Sequence, residues 1–291
     1  MAPEVSVIIP TYNRANMVAE AVKSVLLQSG VSFELIVVDD GSTDGTEKKL
    51  EPFGSSLQYH RQTHSGVSAA RNRGVQLSRA PLLAFLDSDD LWLPGKLLVQ
   101  KTFMDRNPGM QICQTDELWW RNGRRVNPKR YHQKPSGDIF RASLERCLVS
   151  PSAVMIRRPF FEQLGGFDEE LPMAEDYDLW LRAALEQLVP LIRQPLVIKR
   201  GGHADQLSST PGIDRYRIRA LEKLLLSGRL SRQQYSWVWQ TLERKCLIYG
   251  RGCLKRSKLA EANKYLNKPA LYSTMAVYPR NKDSQGEPSE K

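Results

Sequence analysis

The sequence contains little cysteine and no long apolar run. Its four cysteines have no CxxC spacing, which suits a reducing compartment and predicts packing roles for them. No stretch approaches the roughly 18 apolar residues of a membrane-spanning helix. The first ten residues, MAPEVSVIIP, lack the basic segment and apolar run of a signal peptide. These absences together predict a cytoplasmic protein.

Composition and charge indicate two regions with different partners. With 41% hydrophobic residues, the 291-residue chain can form one large α/β domain with an appendage, or two small domains. Residues 1–210 carry 25 basic and 25 acidic side chains, whereas residues 211–291 carry 17 and 7. The whole net charge of +10 therefore belongs to the C-terminal part.

Apolar runs alternate with helical patterns in the first 108 residues, which predicts a parallel, doubly wound sheet. The predicted strands are 5–9, 33–38, 56–62 and 81–86, and the predicted helices are 16–28, 66–78 and 94–108. Polar clusters follow three of the strands, at 10–14, 39–44 and 87–90. Ligands bind beyond the carboxyl ends of such strands, so we expect the three clusters to meet at one rim.

The pattern is less regular after residue 108. We expect strands at 110–120, 152–156 and 190–200, and helices at 138–148 and 175–187. Six Lys or Arg residues in 121–134 either steer an anionic ligand or form a solvated loop. Trp119, Trp120 and Trp180 either stack on sugars or pack in the core. Helices are predicted throughout 211–278, followed by a disordered polar tail at 279–291.

Two acidic clusters at predicted strand ends are candidate ligand sites. In the segment DSDD, Asp87 and Asp89 point to the same side of an extended chain and could hold Mg²⁺ or Mn²⁺. The alternative is a turn in which Asp89 or Asp90 caps the next helix. Asp39 and Asp40 could accept hydrogen bonds from a base imide or ribose hydroxyls, or could form a glycine-rich Asx turn.

Five segments in order resemble the motifs of family-2 inverting glycosyltransferases with the GT-A fold: VSVIIPTYNR, LIVVDDGSTDGT, GVSAARNRG, FLDSDDLWLPGKL and GGFDE…AEDYDLWLR. The resemblance covers residues 4–205. It implies a Rossmann-like, mostly parallel sheet flanked by helices, which we place at 1–210, with a nucleotide-binding half (1–108), an acceptor half (109–210) and a helical appendage. It also implies a nucleotide-sugar donor such as a UDP-sugar, a divalent metal (Mn²⁺ or Mg²⁺), and a hydroxyl acceptor on a cell-surface glycan or lipid-linked saccharide.

The resemblance also assigns roles to individual residues. Tyr12 would stack on the base, Asp40 would read it with Asp39 as a buttress, and Asp90 would cap the following helix. The implied nucleotide-binding residues are Pro10, Thr11, Tyr12, Arg14, Asp39, Asp40, Arg71 and Ser88. The implied metal-binding residues are Asp87, which would also face the ribose, Asp89 and His203. The alternative for His203 is a structural role, as is common for a lone histidine.

The segment AEDYDLWLR supplies the candidate base. Inversion requires in-line attack by an acceptor hydroxyl, and therefore one ionised carboxylate within hydrogen-bond reach of that hydroxyl. No second acid is required when a metal-bound diphosphate leaves as a stabilised anion. The resemblance selects Asp176 as the base, with Glu175 beside it contacting the acceptor or the donor sugar. Trp180, in the same segment, is a further candidate for such a contact. Alternatively, these acids interact only with a helix dipole.

Other functions fit parts of the sequence. A metal-dependent phosphatase or nucleotidyltransferase could use DSDD, although the first strand ends in PTYNR and lacks a nucleophilic aspartate. The basic pI would suit a nucleic-acid-binding protein, but the even charge of 1–210 argues against a nucleic-acid partner. Residues 211–270 hold 14 basic and 4 acidic residues, which predicts peripheral contact with the inner face of a membrane, a docking surface for protein, or a solvated face.

Overall fold

The computed structural model of the chain describes residues 2–127, 132–202 and 212–277. The chain divides into two compact units, the first ending at Ile213 and the second beginning at Asp214. The predicted tail at 279–291 and the predicted metal ligand His203 lie outside the described residues.

One mixed sheet of nine strands forms the centre of the first unit. The strands are β1 (Val5–Thr11), β2 (Phe33–Asp39), β3 (Gln58–Arg61), β4 (Leu82–Phe85), β5 (Leu91–Trp92), β6 (Ile112–Arg121), β7 (Arg124–Val126), β8 (Val154–Arg157) and β9 (Leu191–Gly201). Their order is β3-β2-β1-β4-β8-β6-β9-β5, and β7 pairs with β6. The first four strands pair in parallel, as predicted, and antiparallel pairing begins where β8 joins β4.

Helices cover both faces of the sheet. Those of the first unit are α1 (Ala15–Leu26), α2 (Thr46–Leu50), α3 (Val67–Leu77), α4 (Lys96–Arg106), α5 (Phe140–Ser143), α6 (Arg158–Gln163) and α7 (Glu175–Glu186). All seven residues of β1 are buried, because the strand lies inside the sheet and is covered on both sides. The helix predicted at 138–148 is wrong in length, since only the four residues of α5 are helical.

The register of the parallel strands brings the polar clusters together at one rim. Thr11, the last residue of β1, pairs with Asp39 at the end of β2, and its carbonyl accepts a hydrogen bond from the Asp40 N–H at 2.9 Å. β4 lies on the other side of β1 and leads directly into the acidic segment 87–90. The expectation that these clusters meet is therefore confirmed.

The second unit is helical. Its helices are α8 (Asp214–Leu226), α9 (Arg232–Lys255), α10 (Leu259–Asn267) and α11 (Ala270–Val277). Ser231 and Gln234 form a capping box at the start of α9. Glu222 accepts hydrogen bonds from Lys268 (2.6 Å) and Tyr272 (2.8 Å), which ties α8 to the C-terminal helices. Among the described residues, no helix is long and apolar enough to cross a membrane.

The close packing of α3 on β1 depends on a glycine. A Cβ atom added at Gly74 would lie 2.4 Å from Ile8 Cγ2, and Ile8 is fully buried in the sheet. We predict that overpacking in Gly74→Ala destabilises the protein by about 1–3 kcal/mol. The better helix propensity of alanine offsets about 1 kcal/mol of this loss. Urea denaturation checks this prediction. Gly109→Ala is the matched control, because no heavy atom lies within 4 Å of its added Cβ; equal losses in both variants would contradict the packing argument.

Candidate active site

Three carboxylates form a compact cluster in the segment between β4 and β5. Oxygen atoms of Asp87, Asp89 and Asp90 all lie within 4.8 Å of one another. An all-oxygen set of this size fits Mg²⁺ or Mn²⁺. Burial raises the pKa of Asp90 to about 7; Lys199 opposes this shift, and the neighbouring Asp89 and Asp87 add to it. The cluster thus concentrates negative charge where a cation would relieve the repulsion.

Basic side chains surround this cluster. Arg14 Nη1 lies 2.8 Å from Asp89 Oδ2, so the predicted nucleotide-binding residue Arg14 contacts a predicted metal ligand. Lys199 Nζ lies 3.9 Å from Asp90 Oδ2 and donates to Ser150 Oγ at 3.2 Å. Burial lowers the pKa of Lys199, but the nearby carboxylates outweigh this effect and raise it, Asp90 most strongly. Sequence reasoning did not identify Lys199, whose only signal is a charge at the end of an apolar strand.

The predicted capping role of Asp90 is wrong. Helix α4 begins at Lys96 after Gly95, and no side chain among the described residues caps it. Asp90 instead accepts a hydrogen bond from Ser152 Oγ at 2.6 Å and another from the Arg200 N–H at 2.9 Å. These contacts join the acidic segment to β9 and to the turn that precedes β8, so Asp90 orients the whole cluster.

Arg71 links the cluster to the start of α7. Its Nη2 donates to Asp87 Oδ1 and its Nη1 donates to Glu175 Oε1, both at 2.6 Å. The guanidinium also lies over the Phe167 ring, 4.9 Å from its centroid, and the side chain is only 4% exposed. The structure therefore places Arg71 as a clamp between two carboxylates beneath the rim, where the resemblance implied contact with a base or phosphates.

Asp176, the candidate base, lies beside this clamp in the first turn of α7. Its Oδ1 accepts a hydrogen bond from the Tyr177 N–H at 2.7 Å, and its Oδ2 lies 3.4 Å from Cys147 Sγ. The thiol proton can bond either to Asp176 or to the Val149 carbonyl, 3.1 Å away. Burial and the Asp176 charge raise the pKa of Cys147, which keeps it a neutral donor. We predicted only a packing role for this cysteine.

Glu175 precedes Asp176 and has a different environment. It is 6% exposed, and burial raises its pKa to about 7, against the attraction of Arg71 and with a further contribution from Asp176. Two adjacent carboxyl groups thus have different surroundings, since Glu175 is held by a buried arginine and Asp176 is partly exposed at the helix start. Ala174, just before them, adopts a left-handed backbone conformation (φ 60°) that begins the helix.

An aromatic pair lies at the end of β1. The Tyr12 and His64 rings stack with centroids 4.1 Å apart and an interplanar angle of 24°, and Tyr12 is 44% exposed. His64 Nδ1 lies 2.8 Å from Asp40 Oδ2. The structure thus places an exposed aromatic surface next to the predicted base-reading acid. Sequence reasoning missed His64, because its partners are 24 and 52 positions away in the sequence.

Asp39 and Asp40 are buried beneath this pair and hold the surrounding loops. Asp40 accepts hydrogen bonds at 2.8 Å from the N–H groups of Ser65 and Gly66 and from the Gln62 amide. With His64, these donors occupy the roughly four acceptor positions of a carboxylate. Asp39 accepts from the Ser42 N–H (2.7 Å) and the Tyr59 hydroxyl (2.6 Å), so it ties the turn after β2 to β3.

Of the remaining residues predicted to bind a ligand, three lie at the rim and one lies in the core. Pro10, Thr11 and Ser88 are buried at the rim, and Thr11 Oγ1 has no hydrogen-bond partner among the described residues. Trp180 is wrongly predicted as a sugar contact: it is 2% exposed and packs edge-on against Phe167, with ring centroids 6.1 Å apart. Trp180 lies on the side of α7 that faces the core.

The basic segment 121–134 is only partly available to solvent. Lys134 is buried and forms a 2.8 Å ion pair with Glu117, so it contributes to the structure of β6. Trp119 packs against His132, with ring centroids 4.7 Å apart, whereas Trp120 is 37% exposed. Lys129 and Arg130 lie outside the described residues.

The family profile named Glycosyl transferase family 2 matches residues 6–165, which is more than half of the chain. This chain belongs to glycosyl transferase family 2. The match includes the rim clusters that follow β1, β2 and β4, and the resemblance inferred from the five motifs is confirmed. The predicted GT-A-like fold with a helical C-terminal region is confirmed as well.

Two relatives show what this family-2 chain is similar to. An uncharacterized glycosyltransferase of Rickettsia bellii is 33% identical over 191 residues, covering 62% of this chain and 27% of that protein. UDP-Glc:alpha-D-GlcNAc-diphosphoundecaprenol beta-1,3-glucosyltransferase WfgD of Escherichia coli is 30% identical over 182 residues, covering 61% of this chain and 68% of WfgD. The chain spans less than two thirds of several Rickettsia relatives, with 27% to 58% of their lengths matched.

Two solved structures support the fold. S. aureus TarS 1–349 in complex with UDP-GlcNAc has a TM-score of 0.71 and 21% identity, covering 94% of this chain and 82% of that one. The mannosyltransferase PcManGT from Pyrobaculum calidifontis, in complex with GDP-Man and Mn²⁺, has a TM-score of 0.53 and 18% identity, covering 96% and 85%. At these identities the likeness shows the fold alone.

The Arg71 clamp gives a prediction for this family-2 chain. Arg71→Met leaves the buried Glu175 and the partly buried Asp87 beside an apolar side chain, and we expect a loss of about 3–5 kcal/mol in the free energy of unfolding. Chemical denaturation measures the loss. Arg73→Met, two residues later on α3 and exposed, is the matched control and should change stability by less than about 0.5 kcal/mol. A loss below about 1 kcal/mol in Arg71→Met would disprove the clamp.

Proposed function

We propose that this chain is an inverting glycosyltransferase that moves a sugar from a nucleotide-sugar, with a UDP-sugar the first expectation, to a hydroxyl group of a cell-surface glycan or lipid-linked saccharide. One observation carries the proposal: Arg71 joins the three-carboxylate cluster to the helix start that bears Asp176. A donor-binding element and a candidate base thereby lie in one connected network. The UDP-GlcNAc bound to TarS and the UDP-Glc and lipid-linked acceptor in the name of WfgD support the substrate classes.

The proposed cofactor is a divalent metal ion, Mn²⁺ or Mg²⁺. Asp87 and Asp89 would hold it, and Asp90, whose carboxylate lies within 4.8 Å of theirs, would be a third oxygen donor. When bound, such an ion supplies positive charge that stabilises a diphosphate leaving group. The Mn²⁺ complex of PcManGT supports the choice of metal. His203 stays a proposed fourth ligand.

The chain's own residues orient the reactants and move one proton. Tyr12 offers its exposed ring to the base, next to His64, and Asp40 holds the loop that carries His64. Asp176 accepts the proton of the attacking hydroxyl at its carboxylate, which the Tyr177 N–H and the Cys147 thiol hold in orientation. Because the base and the leaving group lie on opposite sides of the anomeric carbon in this scheme, the configuration inverts.

Membership of family 2 favours this reaction over the other functions that the sequence left open, which were a phosphatase, a nucleotidyltransferase and a nucleic-acid-binding protein. The nucleotide part of the proposal can be tested without knowing the acceptor. The base can be tested once a donor has been identified.

Metal-dependent nucleotide binding is the first test. We predict that UDP with Mn²⁺ raises the melting temperature of the protein more than UDP or Mn²⁺ alone, and more than GDP or dTDP with Mn²⁺. Asp89→Ala should abolish the metal-dependent part, because it removes a proposed ligand. Asp105→Ala, which removes an exposed carboxylate on α4, is the control and should keep it. No response to any of the three nucleotides would argue strongly against the proposed function.

The second test addresses Asp176. In Asp176→Asn, nucleoside diphosphate release from UDP-glucose or UDP-N-acetylglucosamine, in the presence of a diphospholipid-linked GlcNAc acceptor, should fall by about 10²–10⁴. The nucleotide-induced rise in melting temperature should persist, since Asp176 does not bind the nucleotide in this scheme. Glu186→Gln, at the other end of the same helix, removes one charge as a control. Near-normal turnover in Asp176→Asn would refute the base assignment.

A further inference from the structure

Helix α9 has an exposed face that combines apolar and basic side chains. The buried face of the helix is formed by Val238, Thr241, Leu242, Lys245, Cys246, Gly250 and Cys253. On the opposite side, Leu247, Ile248 and Leu254 are 40%, 60% and 43% exposed. Arg251 and Lys255 are exposed among them. The helix therefore presents a second apolar surface that the described residues of its unit leave exposed.

These side chains share one stripe. At 3.6 residues per turn, the residues from Arg244 to Lys255 on this side fall within an arc of about 120°. The stripe contains Arg244, Leu247, Ile248, Arg251, Leu254 and Lys255, and it runs along about 16 Å of the helix. We call it the α9 stripe. One acid, Glu243, lies just outside its edge on the helix.

The composition of the α9 stripe matches the surface of an anionic bilayer. Three aliphatic side chains can enter the acyl boundary, while Arg and Lys side chains extend to the phosphate level with their apolar stems along the lipid. The stripe itself holds three basic residues and no acid, within a segment, 211–270, that has 14 basic and 4 acidic residues. A core-packing role would leave these aliphatic side chains buried, and a contiguous exposed apolar patch is typical of an interaction surface rather than of a solvated face.

We propose that the α9 stripe docks this protein onto membranes rich in anionic phospholipid. The occupant is the lipid surface itself, and the helix lies in the interface without crossing it. The exposed Lys258 and Leu259 (64% exposed) extend the same combination of charges and apolar groups beyond the end of α9. This inference goes beyond the proposed transfer reaction and does not depend on it, because lipid binding requires neither donor nor metal.

Vesicle co-sedimentation of the full chain tests the proposal. We expect binding to vesicles of phosphatidylcholine with 30% phosphatidylglycerol (roughly bacterial in anionic content), and little binding to phosphatidylcholine alone. Arg251→Gln/Lys255→Gln should weaken the partition about 25-fold, at roughly fivefold per basic residue. Leu247→Gln/Ile248→Gln should weaken it at least tenfold, since both side chains lose contact with the acyl boundary.

Matched controls separate the stripe from general charge and hydrophobicity. Lys48→Gln/Lys49→Gln removes the same charge from exposed positions on α2, and Leu27→Gln/Leu188→Gln removes exposed aliphatic groups (71% and 49% exposed) elsewhere. Both controls should bind as the unchanged protein does, and circular dichroism should show native helix content in every variant. Absence of binding to anionic vesicles at low ionic strength would overturn the proposal and leave the stripe to a protein partner. Equal losses in the controls and the stripe variants would also overturn it.

Discussion

The site depends on one buried cation, the guanidinium of Arg71. It bonds to Asp87 and to Glu175, which are 88 positions apart in the sequence and belong to the acidic segment and to α7. Removing two carboxylates from water is costly unless a well-placed opposite charge compensates them, and the planar fork of arginine can reach both at once. The position of Asp176 relative to the acidic cluster follows from this clamp, because Asp176 is the next residue after Glu175.

The part of the fold that positions the rim could be predicted from the sequence. Short apolar runs followed by polar clusters indicate parallel strands whose ends meet, and the 3.6-residue pattern indicates the helices between them. Asp87 and Asp89 could be proposed as metal ligands from the sequence, because the spacing that brings their carboxylates together is local. The antiparallel entry of β8 could not be predicted, since strand direction is decided by pairing with a distant neighbour.

Residues whose function depends on a distant partner were missed or misjudged. His64 gains its importance from Tyr12 and Asp40, Lys199 from Asp90, and Cys147 from Asp176, and no local pattern marks these pairs. Trp180 and Asp90 show the opposite error. A tryptophan beside catalytic-looking acids and an aspartate before a helix both fit a local rule, but packing against Phe167 and hydrogen bonds to Ser152 and Arg200 decide their roles.

The charged residues of the two units are distributed differently and have different physical effects. In the first unit, equal numbers of acidic and basic residues do not mean that the electric field is weak everywhere. Several bases, such as Arg71 and Lys134, are buried in ion pairs with acids at the rim or in β6. At the rim, oxygen atoms of Asp87, Asp89 and Asp90 lie within 4.8 Å of one another, so the local geometry decides which ion fits there. In the second unit, the excess of basic residues is spread along exposed helices, so it acts as a field on extended surfaces. The two proposals assign these charges to different partners, a nucleotide-sugar with its metal ion at the rim of the first unit and an anionic lipid surface along α9 of the second.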